Sequence, residues 1–530
     1  MWDDRGTVIL RASPVGLALL LMRCPPPTTP PYHDPREDVP WTHPPTDRPP
    51  SDRRLRVYVS ESIGGTGLPC KLSVRGVGGT PDPSWGQDDQ RGVWIDPDNR
   101  ALAIGHWVLM ARGRAEFMLT PGRYRFSVTR GPEYAPLSLG EVDTTNGEGV
   151  VRTGELRRVV HTEGEIAGEF HVHSAPSGDS DVPLDERVLS LAAEGIEVFA
   201  STDHDVAEDF MPAVRSLGLE RHLHWIRGDE ITADGMGHFN VFPLPVEIDP
   251  TTRLRHTEPT VAEIVASARG VAPSSIIQLN HPMWRQHPIG YWLVAGFDPA
   301  TGMSRMDLAT MFDTVEVWNG HTLDETEGVG LPVSAVIDAW MTTLQIGRGA
   351  TATGNSDSHR LSHTPPGWPR TMVRVARDVP AEVTDAMVIA GLRAGDALVT
   401  SGPFVQATID GRRAGELVRA RNGAATLTVE VQSITEAPIE RVTVTVNRTE
   451  VGTFEVTARP EEGVLRQRWE VPLRFTRDAW VVVRTRARET LGDIAGTHAR
   501  PMDSLALTNP IYVDVDGDGR WTAPGVGNGP

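Results

Sequence analysis

Five short apolar runs in the middle of this chain end the same way, on polar side chains able to bind a metal. "IEVFASTDH" ends in Asp203-His204, "HWIRGDEIT" carries Glu230, and "SSIIQLNHP" carries Asn280-His281. "FDTVEVWNG" brings Trp318-Asn319, and "GATATGNSDSH" closes on Asp357-Ser358-His359. An earlier stretch, "GEFHVHSAPSGDS", puts His171 and His173 one residue apart, with Asp179 in the Ser/Gly turn that follows. Helical stretches separate these runs. One is predicted over Val182–Gly195, with acidic residues in its first turn, Leu184, Val188, Leu191 and Ala192 on one face, and Gly195 as a stop. Alternating strands and helices indicate an α/β fold. Side chains spread this widely meet only if the strand ends converge, and a (β/α) barrel gathers the C-terminal ends of its strands on one face.

Histidines at i and i+2 of a strand point to the same side, so His171 and His173 can share one ion. A lone pair of this kind is weak evidence, and His222-Leu223-His224, with no acidic partner, reads as structural or exposed. The first pair gains weight from the residues that follow it: Asp179, His204, Glu230, His238 in "GHFNVF", His281, Asp357 and His359. If Asp179 were not the acid of the first turn, Asp181 would serve. Nine nitrogen and oxygen ligands exceed what one ion needs, and their carboxylates can bridge, so two or three divalent ions (Zn, Mn or Fe) are expected. With only two cysteines, Cys24 and Cys70, a cysteine-ligated zinc site is excluded.

The rest of the chain frames this segment. The first 24 residues combine arginines, an apolar run from Val15 to Met22 and Cys24, the outline of a lipoprotein export signal with Cys24 as the lipidated residue. The run is too short to span a bilayer. Residues 25–54 are Pro-rich and read as an extended tether. Residues 55–163 and 401–530 show β-branched and aromatic runs bounded by Gly or Pro, the texture of two β-sandwich-like domains. Between them, residues 164–400 hold twelve of the 17 histidines. A net charge of −19 without a basic run argues against a large nucleic-acid partner, and leaves a small-molecule substrate. The expected location is the cell envelope or outside the cell, with membrane contact only through the lipid anchor. It is the cytoplasm if the signal does not work.

The motifs "HVHS" with its following Asp, "TDH", "GDEI", "HFN", "NHP" and "GNSDSH", in this order from Glu169 to His359, resemble those of the PHP (polymerase and histidinol phosphatase) metallohydrolases. "PGRYRFSVTRGPEY" upstream, and "SGPFV" and "TNPIYVDVDGDGRWTAPG" downstream, are similar to the CehA/McbA-like branch, which includes carbaryl hydrolase. The resemblance implies a distorted (β/α)7 barrel, with His171, His173, Asp179, His204, Glu230, His238, His281, Asp357 and His359 as metal ligands and Glu230 as the bridging carboxylate. Asp203 is read as a residue that orients an imidazole, and Asn280 and Asn319 as hydrogen-bonding residues at the edge of the site. One position departs from the family: it has Asp two places before the first His, and this chain has Glu169.

The function implied is hydrolysis of an ester by a metal-activated hydroxide, with Asp357 as the preferred proton acceptor. Most PHP relatives point to phosphoesters, and the CehA/McbA-like branch to carboxylic or carbamate esters. Arg285 and Arg360 are the convenient cations for a phosphate. Arg285, His287, His321 and His363 read first as surface-loop residues, with substrate binding or leaving-group protonation as the alternative. A reading from another class is an envelope binding or scaffold protein with an idle metal site. "DVDGDG", Asp514 to Gly519, imitates the start of a calcium loop but has Gly525 where the closing Glu belongs, so a complete EF-hand is excluded and an Asp-Gly turn is expected, with a lone structural Ca²⁺ as the alternative.

Overall fold

The computed structural model describes residues 54–62, 65–86, 89–233, 235–249, 254, 258, 260–285, 290–308, 311–321, 331–491, 494–495 and 502–525. The export signal with Cys24, the tether up to residue 53, and His287 lie outside the described residues. No described helix is long and apolar enough to cross a membrane.

Alternating side chains build the N-terminal β region. In Arg123–Thr129, Tyr124, Phe126 and Val128 are buried while Arg123 and Arg125 are exposed, as a period of two requires. This strand lies in a six-stranded antiparallel sheet, and Leu55–Ser60 lies in a three-stranded one. Val57 and Val59 of the smaller sheet share a core with Leu72, Phe126 and Val128 of the larger.

The central segment is mixed α/β and mostly sheet. Glu165–Glu169, Val198–Ala200 and His224–Ile226 lie side by side and parallel. On the other side of Glu165–Glu169, Arg370–Arg374 pairs antiparallel. Through Ala397–Thr400 and Asp503–Thr508 this sheet runs on into the C-terminal β region, reaching eleven strands. A second sheet of five holds Asp229–Ala233, Gly237–Phe242, Ile276–Leu279, Thr314–Asn319 and Thr351–Asn355. Two isolated parallel bridges, Val172 with Ser358 and His204 with Glu230, join the sheets where the metal motifs lie.

These pairings are less regular than the expected (β/α)7 barrel. Asp229–Ala233 and Gly237–Phe242 form a hairpin, and Ile276–Leu279 pairs antiparallel to the second of them. The reason is length: residues 234–236 are too few for a crossover helix, and Gly235 takes a left-handed φ of 70° that a tight turn needs. The helix predicted over Val182–Gly195 spans Leu184–Ala193, with Asp185 and Glu186 in its first turn and Gly195 at φ 74° past its end. Its Val188, Leu189, Leu191 and Ala192 pack on Leu102, Ile104 and Trp107 of the N-terminal β region.

Candidate metal centre

Strand Glu165–Glu169 stops just before the two histidines, and Val172 between them enters the core beside helix Leu184–Ala193. His171 and His173 therefore face the opposite way, fully buried, with ring centroids 5.2 Å apart. Glu230, fully buried at the seam of the two sheets, sits among five imidazoles. Its Oε1 lies 3.2 Å from His171 Nε2, 3.2 Å from His238 Nδ1 and 3.8 Å from His281 Nε2. Its Oε2 lies 3.2 Å from His173 Nε2 and 3.1 Å from His204 Nδ1. Asp357 Oδ1 approaches His171 Nε2 at 3.2 Å and His173 Nε2 at 3.0 Å. Asp179 Oδ2 stands between His204 Nε2 (3.1 Å) and His359 Nε2 (3.0 Å), and Asp181 points to solvent instead.

All nine candidate ligands thus fall in one cluster, in overlapping groups whose ligand atoms lie within 4.8 Å of one another. His321 joins it beside Asp357 and His359; its ring nitrogen Nε2 donates to the Asp357 carbonyl at 2.8 Å. Two of the residues hold left-handed backbone, His281 at φ 27° and Asp357 at φ 52°. Such geometry costs on the order of 1–3 kcal/mol per residue and persists where the surroundings enforce it.

The charge state is set by the close packing. Burial works against a charged imidazole, yet the carboxylates of Asp357 and Glu230 raise His171 well above the usual range. The same contest, with Glu230 and Asp179 as the acids, lifts His204 to about 9. Burial and the neighbouring His359 push His173 down to about 3. Burial would raise Glu230 and Asp357, but the surrounding imidazoles hold both well below the ordinary carboxylate range. Six buried atoms here make no well-formed hydrogen bond, although four of them lie in close polar contact with one another: His171 Nε2, His173 Nε2, Glu230 Oε2, His238 Nε2, His281 Nδ1 and Asp357 Oδ1. Leaving such atoms unpaired costs about 1–3 kcal/mol each, and a divalent cation satisfies nitrogen and carboxylate oxygen together. The donor set fits divalent metal.

The neighbours of these residues aim them. Asn280 Nδ2 donates to Glu230 Oε1 at 2.7 Å, and Asn319 Nδ2 to Asp357 Oδ2 at 2.9 Å, so each central carboxylate is held by one amide. Asp203 differs from expectation. Its carboxylate accepts from the amide and hydroxyl of Ser174 and so fixes the turn after His173 rather than an imidazole. Arg285 is exposed in the loop after His281, and His363 lines a recess with His321, Thr364 and Trp368. The second histidine pair stands apart from the cluster, with His224 Nε2 2.8 Å from Asp385 Oδ1. In "DVDGDG", Asp514 accepts from the amides of Gly517 and Gly519, the expected turn.

Two residues escaped the sequence reading. Glu316, buried in Thr314–Asn319, accepts from His171 Nδ1 at 2.9 Å and from the His281 amide at 2.9 Å. That bond fixes the His171 tautomer and turns Nε2 toward the cluster. Its signal was an acid inside the apolar run "TVEVW", where a charge needs a partner. Arg187, fully buried, donates to the His173 carbonyl, the Ser358 hydroxyl and the Ser358 carbonyl, tying two strand ends together. Its signal was a charge beside Leu184, Val188 and Leu191 on the helix's apolar face.

No protein-family model matches this chain, and no curated protein does. Among solved structures, a protein of Bifidobacterium adolescentis provisionally named a metal-dependent phosphoesterase is similar at 16% identity. The match covers 43% of this chain and 96% of that one, with a TM-score of 0.25. An engineered protein is similar at 16% identity over 63% of this chain and 59% of its own, with a TM-score of 0.14. Likeness at this level fixes neither fold nor activity.

Proposed function

We propose that this protein is a metal-dependent hydrolase of the PHP type, in the CehA/McbA-like branch, acting on phosphoesters. The observation that carries the reading is the convergence of nine candidate ligand side chains, from strand ends and loops far apart in sequence, in overlapping groups whose ligand atoms lie within 4.8 Å of one another. Two or three divalent ions, when bound, lower the pKa of a coordinated water to near 7 and supply positive charge for a developing oxyanion. The chain's own residues do the rest. Glu230, held at Oε1 by Asn280, would be the bridging carboxylate. Asp357 is anchored at Oδ2 by Asn319, which directs Oδ1 toward His171 and His173 as the candidate proton acceptor. His321 lies beside Asp357 and His359, with its Nε2–H occupied by the Asp357 carbonyl.

A second reading, hydrolysis of carboxylic or carbamate esters, is favoured by the cations. Arg360 is engaged by Asp89, Arg187 is spent on backbone and hydroxyl groups, and Arg285 is exposed. None of these three is held in the centre to grip a phosphate dianion. A panel of nitrophenyl phosphate, a phosphodiester, nitrophenyl acetate and a naphthyl carbamate, each with and without chelator, separates the two. Chelator-sensitive turnover of the phosphate compounds supports the first reading, and turnover of the acetate or carbamate alone replaces it with the second. If none is hydrolysed with Zn, Mn or Fe added, both fall, and the scaffold reading takes their place.

A further inference from the structure

Among the described residues of the N-terminal β region, Asp89 to Gly92 contact the loops that carry two of the candidate ligands. Asp89 is used twice: its Oδ1 accepts from the Arg360 guanidinium at 2.5 Å, and its carbonyl accepts from the Leu361 amide at 2.7 Å. Gln90 Oε1 accepts from the Asp181 amide at 2.6 Å, and the Gly92 amide donates to Glu186 Oε2 at 2.8 Å. Arg360 directly follows His359, and Asp181 stands two places after Asp179. The stretch therefore grips both loops that carry the outer candidate ligands.

Those ligands are the most exposed of the nine. The Asp179 side chain is 47% exposed and that of His359 20%, against 0% for His171 and Glu230. Glu316, Asn280 and Asn319 brace the inner ones from within the sheets. The outer pair comes from loops 180 residues apart, which meet through Asp179 Oδ2 with His359 Nε2 and Ser180 Oγ with the His359 carbonyl. A ligand on an unbraced exposed loop loses its rotamer and backbone freedom when it binds, and the ion is held more weakly by that amount. Bracing the loops beforehand removes the loss.

We propose that Asp89 and Gln90 are positioning residues for the outermost ion position, formed by His173, Asp179, His204 and His359, so that the N-terminal β region is part of the metal centre. This rests on the metal-hydrolase reading. The Asp89–Arg360 pair is partly exposed, with side-chain exposures of 26% and 44%, and a pair in that setting adds little to stability. Its effect belongs on the metal.

The test uses the full chain, stripped of metal and titrated calorimetrically with Mn²⁺ or Zn²⁺, with ion content counted after dialysis. In Asp89→Ala/Gln90→Ala, the ions that fill first should bind as in wild type, and the last should bind roughly ten-fold or more weakly. The melting midpoint of the metal-free protein should be unchanged. Exchanging the charges (Asp89→Arg with Arg360→Asp) should restore the last ion, and Gln90→Glu, which keeps an acceptor, should leave it intact. Unaltered binding of every ion overturns the proposal, and so does equal weakening of all ions with a lowered melting midpoint, the mark of a merely structural role. If the wild type binds no divalent ion, the metal reading itself fails and this one with it.

Discussion

Glu169 spends its carboxylate on backbone: it accepts from the amides of Gly367 (2.8 Å), Ser356 (3.1 Å) and His171 (3.2 Å). The position where this chain parts from the motif pattern it resembles therefore pins the loop that carries Asp357 to the strand that leads to His171. It does not touch the ions' ligand atoms. Burial pushes the Glu169 carboxyl up to about 7, although those amides pull it down, from an ordinary 4.5. A carboxyl whose folded pKa lies above its unfolded one favours the fold in its protonated form. That contribution is complete below about pH 4.5 and is lost as pH rises through about 7. In metal-free protein, wild type should lose stability relative to Glu169→Gln over this window, by at most ~3 kcal/mol. Urea unfolding midpoints at pH 4.5, 6 and 8 measure it, and a pH-independent difference contradicts it. At this scale the candidate ligands were legible because their types and spacing are chemically unusual. Glu316 and Arg187 were not, because each looks like an ordinary charge until its buried partners are known.

Helix Leu184–Ala193 shows what an element inherits from its pattern. Its apolar face, acidic first turn and terminal glycine all stand in the sequence, but the surface it covers belongs to strands some 80 residues earlier, Ala101–Ile104 and Trp107–Met110. Leu191 is fully buried there. Leu191→Ala should lower stability by about 3 kcal/mol, from lost burial and the cavity left behind. Chemical denaturation would show it, and a loss under ~1 kcal/mol would mean that this face is not tightly packed. The hairpin from Asp229 to Phe242 was the element misjudged. A run ending in ligand residues reads equally well as a parallel barrel strand, and only the three-residue connection decides against it.

Across the whole molecule, the β regions and the central segment share charges as well as apolar surface. Lys71 of the N-terminal β region is 2% exposed, with Nζ 2.5 Å from Glu194 Oε1, 3.1 Å from the Ile494 carbonyl and 4.9 Å from the Trp107 ring centre. Glu194 Oε2 accepts in turn from the Trp368 indole. Lys71→Met strands a buried carboxylate and should cost about 3–5 kcal/mol, while Lys71→Met with Glu194→Gln should recover much of it. Unfolding curves of the single and double variants measure this coupling, and strictly additive losses would contradict it. The sequence by itself determined the inventory of candidate chemistry: nine side chains able to bind metal, too few cysteines for a cysteine site, and strands that end where those side chains begin, since residue type and spacing are local properties. Only the tertiary structure decided that the first sheet runs on into the C-terminal β region, that Glu316 and Arg187 belong to the centre, and that Asp89 and Gln90 reach its rim. Those contacts join residues up to hundreds of positions apart, and nothing in a local pattern specifies which distant partner will satisfy a buried charge or an exposed loop.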